Sequence, residues 1–389
     1  LIILLFFSAR VNAAEEKKNL LILCCNGGFC HNAAAETLKN LLGDEYNFKV
    51  VYPIDELHIW GVKSGEQIYN TLLQNDWIQP VNIMSRHIAP KVFRTHKVKL
   101  EAIIQKHISD MNPDLVISLT PFINYAASEA ARKSEIPYLL VTMDNDLQNW
   151  VHGLQGVQHP NFKVTVSSNL WATRSMLIKR NIPDSAIEPI GFPIRTDFTA
   201  KKDIISIKKE YGIPNNKPVA LVMIGGAGGD KALKYAKHIA STQYGLHLIV
   251  CAGKNKQLAA DLRKVPLHPS NTMTVMEFTT KISDLMAISD ILITKPGSGT
   301  VHEAMLMKIP ILADATTTVL SWEKANIDLI SQYGIGDHID NFDELEPLLR
   351  RFLFDSELQK EVKDSYNKIP ANRFNEAVVP LIKSMCKKI

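Results

Sequence analysis

The chain has 389 residues, 46% of them hydrophobic and 22% charged, with a formal net charge of +4. That length exceeds one ordinary domain and points to about two, and the composition excludes a disordered, low-complexity or solenoid-repeat protein. The small net charge, with no stacking aromatics interleaved among the Lys and Arg residues, argues against a nucleic-acid partner.

The chain begins with LIILLFFSARVNAAEE, so residues 1–18 read as a signal-like or anchoring apolar segment, with Asn12-Ala13-Ala14 as a cleavage neighbourhood. The run Leu1 to Phe7 is too short to span a bilayer unaided. Cysteine usage points away from export: five Cys, with Cys24, Cys25 and Cys251 inside strand-like runs, do not form a disulfide framework.

Strand-like runs then alternate with helical patterns. Leu20 to Cys25, Lys49 to Tyr52, Leu115 to Leu119, Tyr138 to Thr142 and Lys163 to Val166 are expected strands of a first half, with helices over 32–42, 98–110 and 124–134. A second series has strands near 219–224, 247–251, 272–276, 290–294 and 309–313. Two doubly wound α/β halves follow, residues 19–192 and 193–360, with a helical segment 361–389 expected to pack back on the first. Gly191-Phe192-Pro193-Ile194-Arg195 breaks the periodicity and reads as the linker, so a ligand is expected in the cleft between the halves.

Four segments carry chemistry. After the first strand, Asn26-Gly27-Gly28-Phe29-Cys30-His31-Asn32 permits close backbone approach and places His31 at a helix entrance, where it is either a base or a structural histidine. Between Ser85 and Lys106, Arg86, Lys91, Arg94, Lys97, Lys99 and Lys106 face a single acid, Glu101; this suits an anionic membrane surface or a solvated helix face. Gly225-Gly226-Ala227-Gly228-Gly229-Asp230-Lys231 ends the strand at 219–224 and presents backbone N–H groups as an anion nest, without the spacing of a dinucleotide fingerprint or a Walker A loop. In 290–305, DILITKPGSGTVHEAM, a buried strand breaks at Pro296, Gly297 and Gly299 and opens a helix at Thr300, whose N-terminus attracts a phosphate; Glu303, one turn inside, suits a ribose diol or the helix dipole. Farther on, Glu323 and Asn326 share a helix face and could address hydroxyls of one sugar. Metal-site spacings and a nucleophile elbow are missing, so no metal is expected.

Together, Ile293 to Ala304, Gly191 to Arg195 and the pair Glu323 and Asn326 resemble the GT-B glycosyltransferases, most closely the monogalactosyldiacylglycerol synthase group and more distantly the peptidoglycan N-acetylglucosaminyltransferase, from about Leu20 to about Leu353. The resemblance implies two Rossmann-like domains facing a central cleft and inverting transfer of a hexose from a UDP-sugar to a lipid, with diacylglycerol as the expected acceptor. Other acceptors, an epimerase, or a UDP-sugar-binding protein without transfer activity are the alternatives. Glu303 would bind the ribose; Gly225, Gly226, Gly228, Gly229, Gly297, Ser298, Gly299 and Thr300 the diphosphate; the backbone around Phe278 the uracil; Glu323 and Asn326 the sugar. His31 would be catalytic, although Phe29 and Cys30 here separate it from the glycines that directly precede the family's histidine. Asp144 and Asp146 compete for an acceptor-side acid, with Asp146 fitting the spacing better, and Trp150 falls where the family meets lipid. No cofactor is implied, the UDP-sugar being a substrate. Peripheral association with the cytoplasmic face of a membrane is expected, with export left open by the N-terminal segment.

Overall fold

The computed structural model describes residues 17–27, 30–58, 65–75, 77–154, 159–167, 171–225 and 231–386. The apolar segment 1–16 and the glycines Gly28, Gly226, Gly228 and Gly229 therefore lie outside the described residues.

Near-continuous apolar runs predict strands buried on both faces, which is how all-parallel sheets read in sequence. The first sheet contains β1 (Lys18–Leu23), β2 (Tyr46–Val51), β3 (Leu115–Ser118), β4 (Tyr138–Val141), β5 (Phe162–Thr165) and the two-residue β6 (Ile187–Glu188), in the order β2-β1-β3-β4-β5-β6. The second contains β7 (Val219–Met223), β8 (His247–Gly253), β9 (Thr272–Glu277), β10 (Ile291–Thr294), β11 (Ile311–Asp314) and β12 (Gly336–Ile339), in the order β12-β11-β10-β7-β8-β9. Every neighbouring pair is parallel. Leu20 to Leu23, Leu139 to Val141 and Ile291 to Ile293 are fully buried. The second order is the 3-2-1-4-5-6 arrangement of dinucleotide-binding sheets, and ligands bind such sheets where the order reverses, outside the carboxyl ends of the strands. Those switch points lie between β1 and β3 in one sheet and between β7 and β10 in the other. The registers Leu23↔Ser118 and Thr294↔Met223 end each pair of strands level, so the loops that follow emerge side by side.

The region after β2 is helical. Helices Gly65–Gln74, Ile78–Ile83, Ala89–Thr95 and Lys97–Met111 follow one another, with a π-helical turn over Met84–Ile88. Pro90 opens the helix Ala89–Thr95, where its missing N–H costs no helical bond. Ile78, Val81 and Leu320 form a second, small core with Tyr69, Leu72, Leu73 and Trp322 against it, so this helical region packs on a loop of the second domain.

The boundary expected at residue 361 falls inside the helix Ser356–Lys368, which stays with the second domain: the Tyr366 hydroxyl donates to the Ile309 carbonyl, and Lys308 Nζ to Asn367 Oδ1 at 3.1 Å. The helix Phe374–Met385 returns to the first domain, where Phe374, Val378 and Ile382 are fully buried and Lys383 pairs with Glu45 at 3.0 Å. The crossover is tied to the linker. Asn372 accepts from Phe192 N at 3.0 Å and donates to Phe192 O at 2.9 Å. Gly191 beside it has φ +112°, and a Cβ there would lie 1.9 Å from Asn372 Oδ1, so only glycine fits.

Candidate functional site

The loops from the two switch points meet. Helix Cys30–Leu42 starts after β1 and helix Ser298–Met307 after β10, and a Cβ added at Gly299 would sit 3.8 Å from the Cβ of Cys30. Two helix N-termini thus converge across the cleft, each with unpaired N–H groups and the positive end of a dipole, which suits an anion such as a diphosphate. Of the predicted diphosphate residues, Gly297, Ser298, Gly299 and Thr300 lie here and Gly225 ends the described part of the loop after β7 with φ +87°; Gly226, Gly228 and Gly229 lie outside the described residues. Lys231, the first residue described after that loop, donates to Asp314 Oδ2 at 2.7 Å, and Tyr235 donates to Asp314 Oδ1 at 2.8 Å. Burial opposes the charge of Asp314, but these bonds and those from Thr316 hold its carboxyl below the usual range.

On the first-domain side, His31 is buried with Nδ1 2.6 Å from the Leu119 carbonyl, so Nδ1–H donates across the β1/β3 switch point and Nε2 is left as the basic nitrogen. Burial disfavours its charged form, while the neighbouring Cys25 and Cys30 act the other way and leave it above the ordinary histidine value. Its ring lies against Trp150, centroids 5.9 Å apart.

Trp150 corrects one expectation. It is 0% exposed, and its Nε1 donates to Asp144 Oδ2 at 2.8 Å. It cannot touch lipid from there; it holds Asp144 and packs on His31. Of the two competing acids, Asp144 is the one placed in the cleft, because its Oδ1 also accepts from Ser298 Oγ of the second domain at 2.9 Å. Asp146 accepts from Gln148 N at 2.9 Å within its own turn, and its charge acts on Asp144. Burial raises the Asp144 carboxyl to about 6 against the bonds from Trp150 and Ser298 and the charge of His31.

Asn326 is likewise placed differently from the expectation that it faces a sugar. It is fully buried, with Nδ2 donating to Pro296 O at 2.7 Å and Ser298 Oγ at 3.0 Å while Oδ1 accepts from Asn145 Nδ2 at 2.7 Å. Its amide is spent on holding the 296–298 loop and joining the domains. Glu323 stands just before the helix Lys324–Tyr333, and a Cβ added at Gly297 would lie 3.5 Å from its Oε1. Burial lifts its carboxyl to about 7, with Lys295 opposing and the charge of Asp144 adding to the rise.

Glu303 accepts from Arg195 Nε at 3.2 Å. Its carboxyl also moves up to about 7, because burial outweighs the guanidinium of Arg195. Arg195 comes from the linker, so the hinge itself supplies the counter-ion of the predicted ribose acid. Phe278 is 53% exposed beyond β9, with Lys254 Nζ 5.0 Å from its ring centre.

Sequence reasoning missed Tyr69, from the helix Gly65–Gln74. Burial raises its phenol well above the usual value, with the charges of Glu323, Cys30 and Asp144 adding to it, so it belongs to the same cleft. No local signal marks it, since the helix that carries it lies far from every motif in sequence. Arg195 did carry a signal, as the charged end of the linker motif.

The predicted basic residues lie farther along this helical region, from the π-helical turn Met84–Ile88 to the start of the helix Lys97–Met111. Arg86, Lys91, Arg94 and Lys97 are exposed, although Arg86 also donates to Ser321 O at 3.3 Å and Lys97 Nζ sits 5.5 Å from the Tyr125 ring. Exposed apolar side chains accompany them: Trp77 at 60%, Ile83 at 55% and Ile88 at 51%. Among the described residues no helix is long and apolar enough to cross a membrane.

Residues 220–313 match the glycosyltransferase family 28 C-terminal domain. The chain is 27% identical over 342 residues to the chloroplastic monogalactosyldiacylglycerol synthase of Spinacia oleracea, covering 81% of this chain and 62% of that protein. It is 26% identical over 285 residues to the processive diacylglycerol beta-glucosyltransferase of Bacillus pumilus, covering 72% of this chain and 70% of that protein. The structure of MurG from Acinetobacter baumannii superimposes with a TM-score of 0.61 at 15% identity, over 95% of this chain and 99% of that one. The calicheamicin glycosyltransferase CalG4 does so with 0.62 at 14% identity, over 95% and 98%. The fold is GT-B, and the chain's homologues are monogalactosyldiacylglycerol synthases and diacylglycerol glucosyltransferases.

Proposed function

We propose that this chain is a hexosyltransferase that moves a hexose from a UDP-sugar to the free hydroxyl of diacylglycerol, inverting the anomeric carbon. The observation that carries the reading is the meeting of an anion-attracting helix start, Ser298–Met307, with the His31 and Asp144 pair of the facing domain, on a GT-B frame whose relatives are named as diacylglycerol glycosyltransferases.

In this reading Glu303 accepts hydrogen bonds from the ribose diol, and the backbone after β9, near Phe278, meets the uracil. The N–H groups at Gly297 to Thr300, with the loop beginning at Gly225, stabilise the charge that develops on UDP as the bond from the sugar to the phosphate oxygen breaks. No metal is assigned a role. In its neutral form His31 has Nδ1–H bonded to Leu119 O, and Nε2 then takes the acceptor hydroxyl's proton as that oxygen attacks the anomeric carbon. Asp144 takes the acceptor-side place first considered for Asp146 and stabilises the imidazolium that forms. Glu323 reads a sugar hydroxyl, with Asn326 supporting the loop beneath it.

The acceptor is a membrane lipid, and the exposed face of Trp77, Ile83 and Ile88 among Arg86, Lys91 and Arg94 has the mixed apolar and basic character of an interfacial surface. We assign that face, in place of Trp150, to contact with an anionic membrane on its cytoplasmic side. The test of the activity is UDP release from a panel of UDP-hexoses with and without diacylglycerol in vesicles, with the lipid product identified by mass spectrometry. Release that ignores diacylglycerol sinks the acceptor assignment; no consumption of any UDP-hexose sinks the transferase.

A further inference from the structure

The loop that carries Glu323 belongs to the second domain by sequence, following β11, yet it is held from the first. Asn82, in the helix Ile78–Ile83, grips the loop's backbone at two points: its Nδ2 donates to Val319 O at 2.9 Å and its Oδ1 accepts from Ser321 N at 2.8 Å. Gln79, one turn earlier, donates to Thr318 Oγ1 at 3.0 Å. Leu320 closes the small core with Ile78 and Val81, and Trp322 stacks on Tyr69 with centroids 6.3 Å apart. Five successive residues of the loop, Thr318 to Trp322, are therefore fixed by the other domain immediately before Glu323. The opposite end of the site is built differently: Glu303 is held by Arg195 of the linker and the loop after β10 by Asn326 of the second domain, with the bond from Ser298 Oγ to Asp144 as its tie to the first.

We infer that Asn82 is a positioning residue for the hexose part of the donor: by gripping residues 319–321 from the first domain it sets Glu323 against the sugar, so recognition of the hexose, unlike that of UDP, depends on the two domains being engaged. This rests on the reading of Glu323 as a sugar ligand. UDP binds the second domain whether or not the clamp is made, whereas the sugar is read only when it is. A group that only maintained the fold would weaken both ligands together or neither.

The experiment is calorimetric titration of the full chain with UDP, UDP-glucose and UDP-galactose, for wild type, Asn82→Ala, Asn82→Asp and Glu323→Gln, with thermal melts of each. Asn82→Ala is expected to lower affinity for the preferred UDP-hexose about tenfold, the scale of 1.4 kcal/mol, and to leave UDP within about twofold. Asn82→Asp, which keeps the acceptor for Ser321 N but loses the donor to Val319 O, is expected to fall between; it also serves if the alanine variant does not fold. Equal loss of UDP and UDP-hexose, or no loss of either, overturns the inference. Glu323→Gln separates the two levels of the argument. If it leaves UDP-hexose affinity intact, the sugar reading of Glu323 is wrong and the inference falls with it; if it lowers that affinity while Asn82→Ala does not, only the inference about Asn82 fails.

Discussion

Glu303 is held at a cost, and the cost is measurable. Its carboxyl ordinarily titrates at 4.5 and here at about 7, because burial outweighs the Arg195 guanidinium. At 1.36 kcal/mol per pH unit, keeping it ionised in the folded, ligand-free protein costs about 3 kcal/mol. The sign is set by linkage: between 4.5 and about 7 the folded state holds a proton that the unfolded state has released, so this group's stabilisation is complete below 4.5 and is lost as pH rises through 7. Glu303→Gln replaces the acid with a neutral isostere. It is therefore expected to melt above wild type at pH 8, by up to about 3 kcal/mol of stability, with the difference shrinking to below about 1 kcal/mol at pH 5 and vanishing only below the unfolded value of 4.5. UDP should show the reverse, because the ionised carboxylate accepts the ribose hydroxyls: Glu303→Gln is expected to weaken UDP at pH 8 by about 1–3 kcal/mol, and wild-type affinity should itself fall as pH drops through 7. Differential scanning calorimetry across pH 5 to 8, with and without UDP, reads both effects. A variant less stable than wild type at pH 8, or one that binds UDP as wild type does, would refute the reasoning.

Three further outcomes are expected. Excess EDTA leaves hexose transfer unchanged, since the leaving group's charge is assigned to helix N-termini and loop N–H groups; loss of activity restored by Mg²⁺ or Mn²⁺ contradicts that assignment. Reversal of Lys91, Arg94 and Lys97 to Glu lowers co-sedimentation with anionic vesicles more than with neutral ones and removes the salt dependence, while Trp77→Ala and Ile83→Ala lower both; equal binding by wild type and variants would make this face merely solvated. Asn326→Ala strips a fully buried amide of its bonds to Pro296, Ser298 and Asn145 and leaves those partners unsatisfied, so chemical denaturation should show a loss of about 2–4 kcal/mol; a loss below 0.5 kcal/mol would mean that the amide does not join the domains.

How much of this was legible in the sequence depends on the range of the interaction concerned. Apolar runs of four to six residues separated by helical periods suffice for β1, β3, β4, β7, β10 and β11, because a strand buried on both faces writes its burial into its own composition. Glycine and proline after β10 likewise mark a turn into a helix, for local backbone reasons. The short β6 and the polar β12, Gly-Asp-His-Ile, carry no such signature; they exist because neighbouring strands offer them a ladder. The site followed the same division. Glu303 and Glu323 stand out by their place after a strand and a loop, but what each faces does not. Trp150 looked like a lipid contact because an aromatic in a loop says nothing about which way it turns; the Asp144 carboxylate and the His31 ring turn it inward. Asn326 looked like a sugar ligand because spacing shows only that two side chains share a helix face, whereas Pro296, Ser298 and Asn145 around it take both of its amide donors and bond its oxygen. Asn82 and Tyr69 had no motif at all. Their roles come from 237 to 253 residues away along the chain, where the second domain's loop is laid against their helices, and contacts of that separation are decided by how two finished sheets dock rather than by any local run of residues.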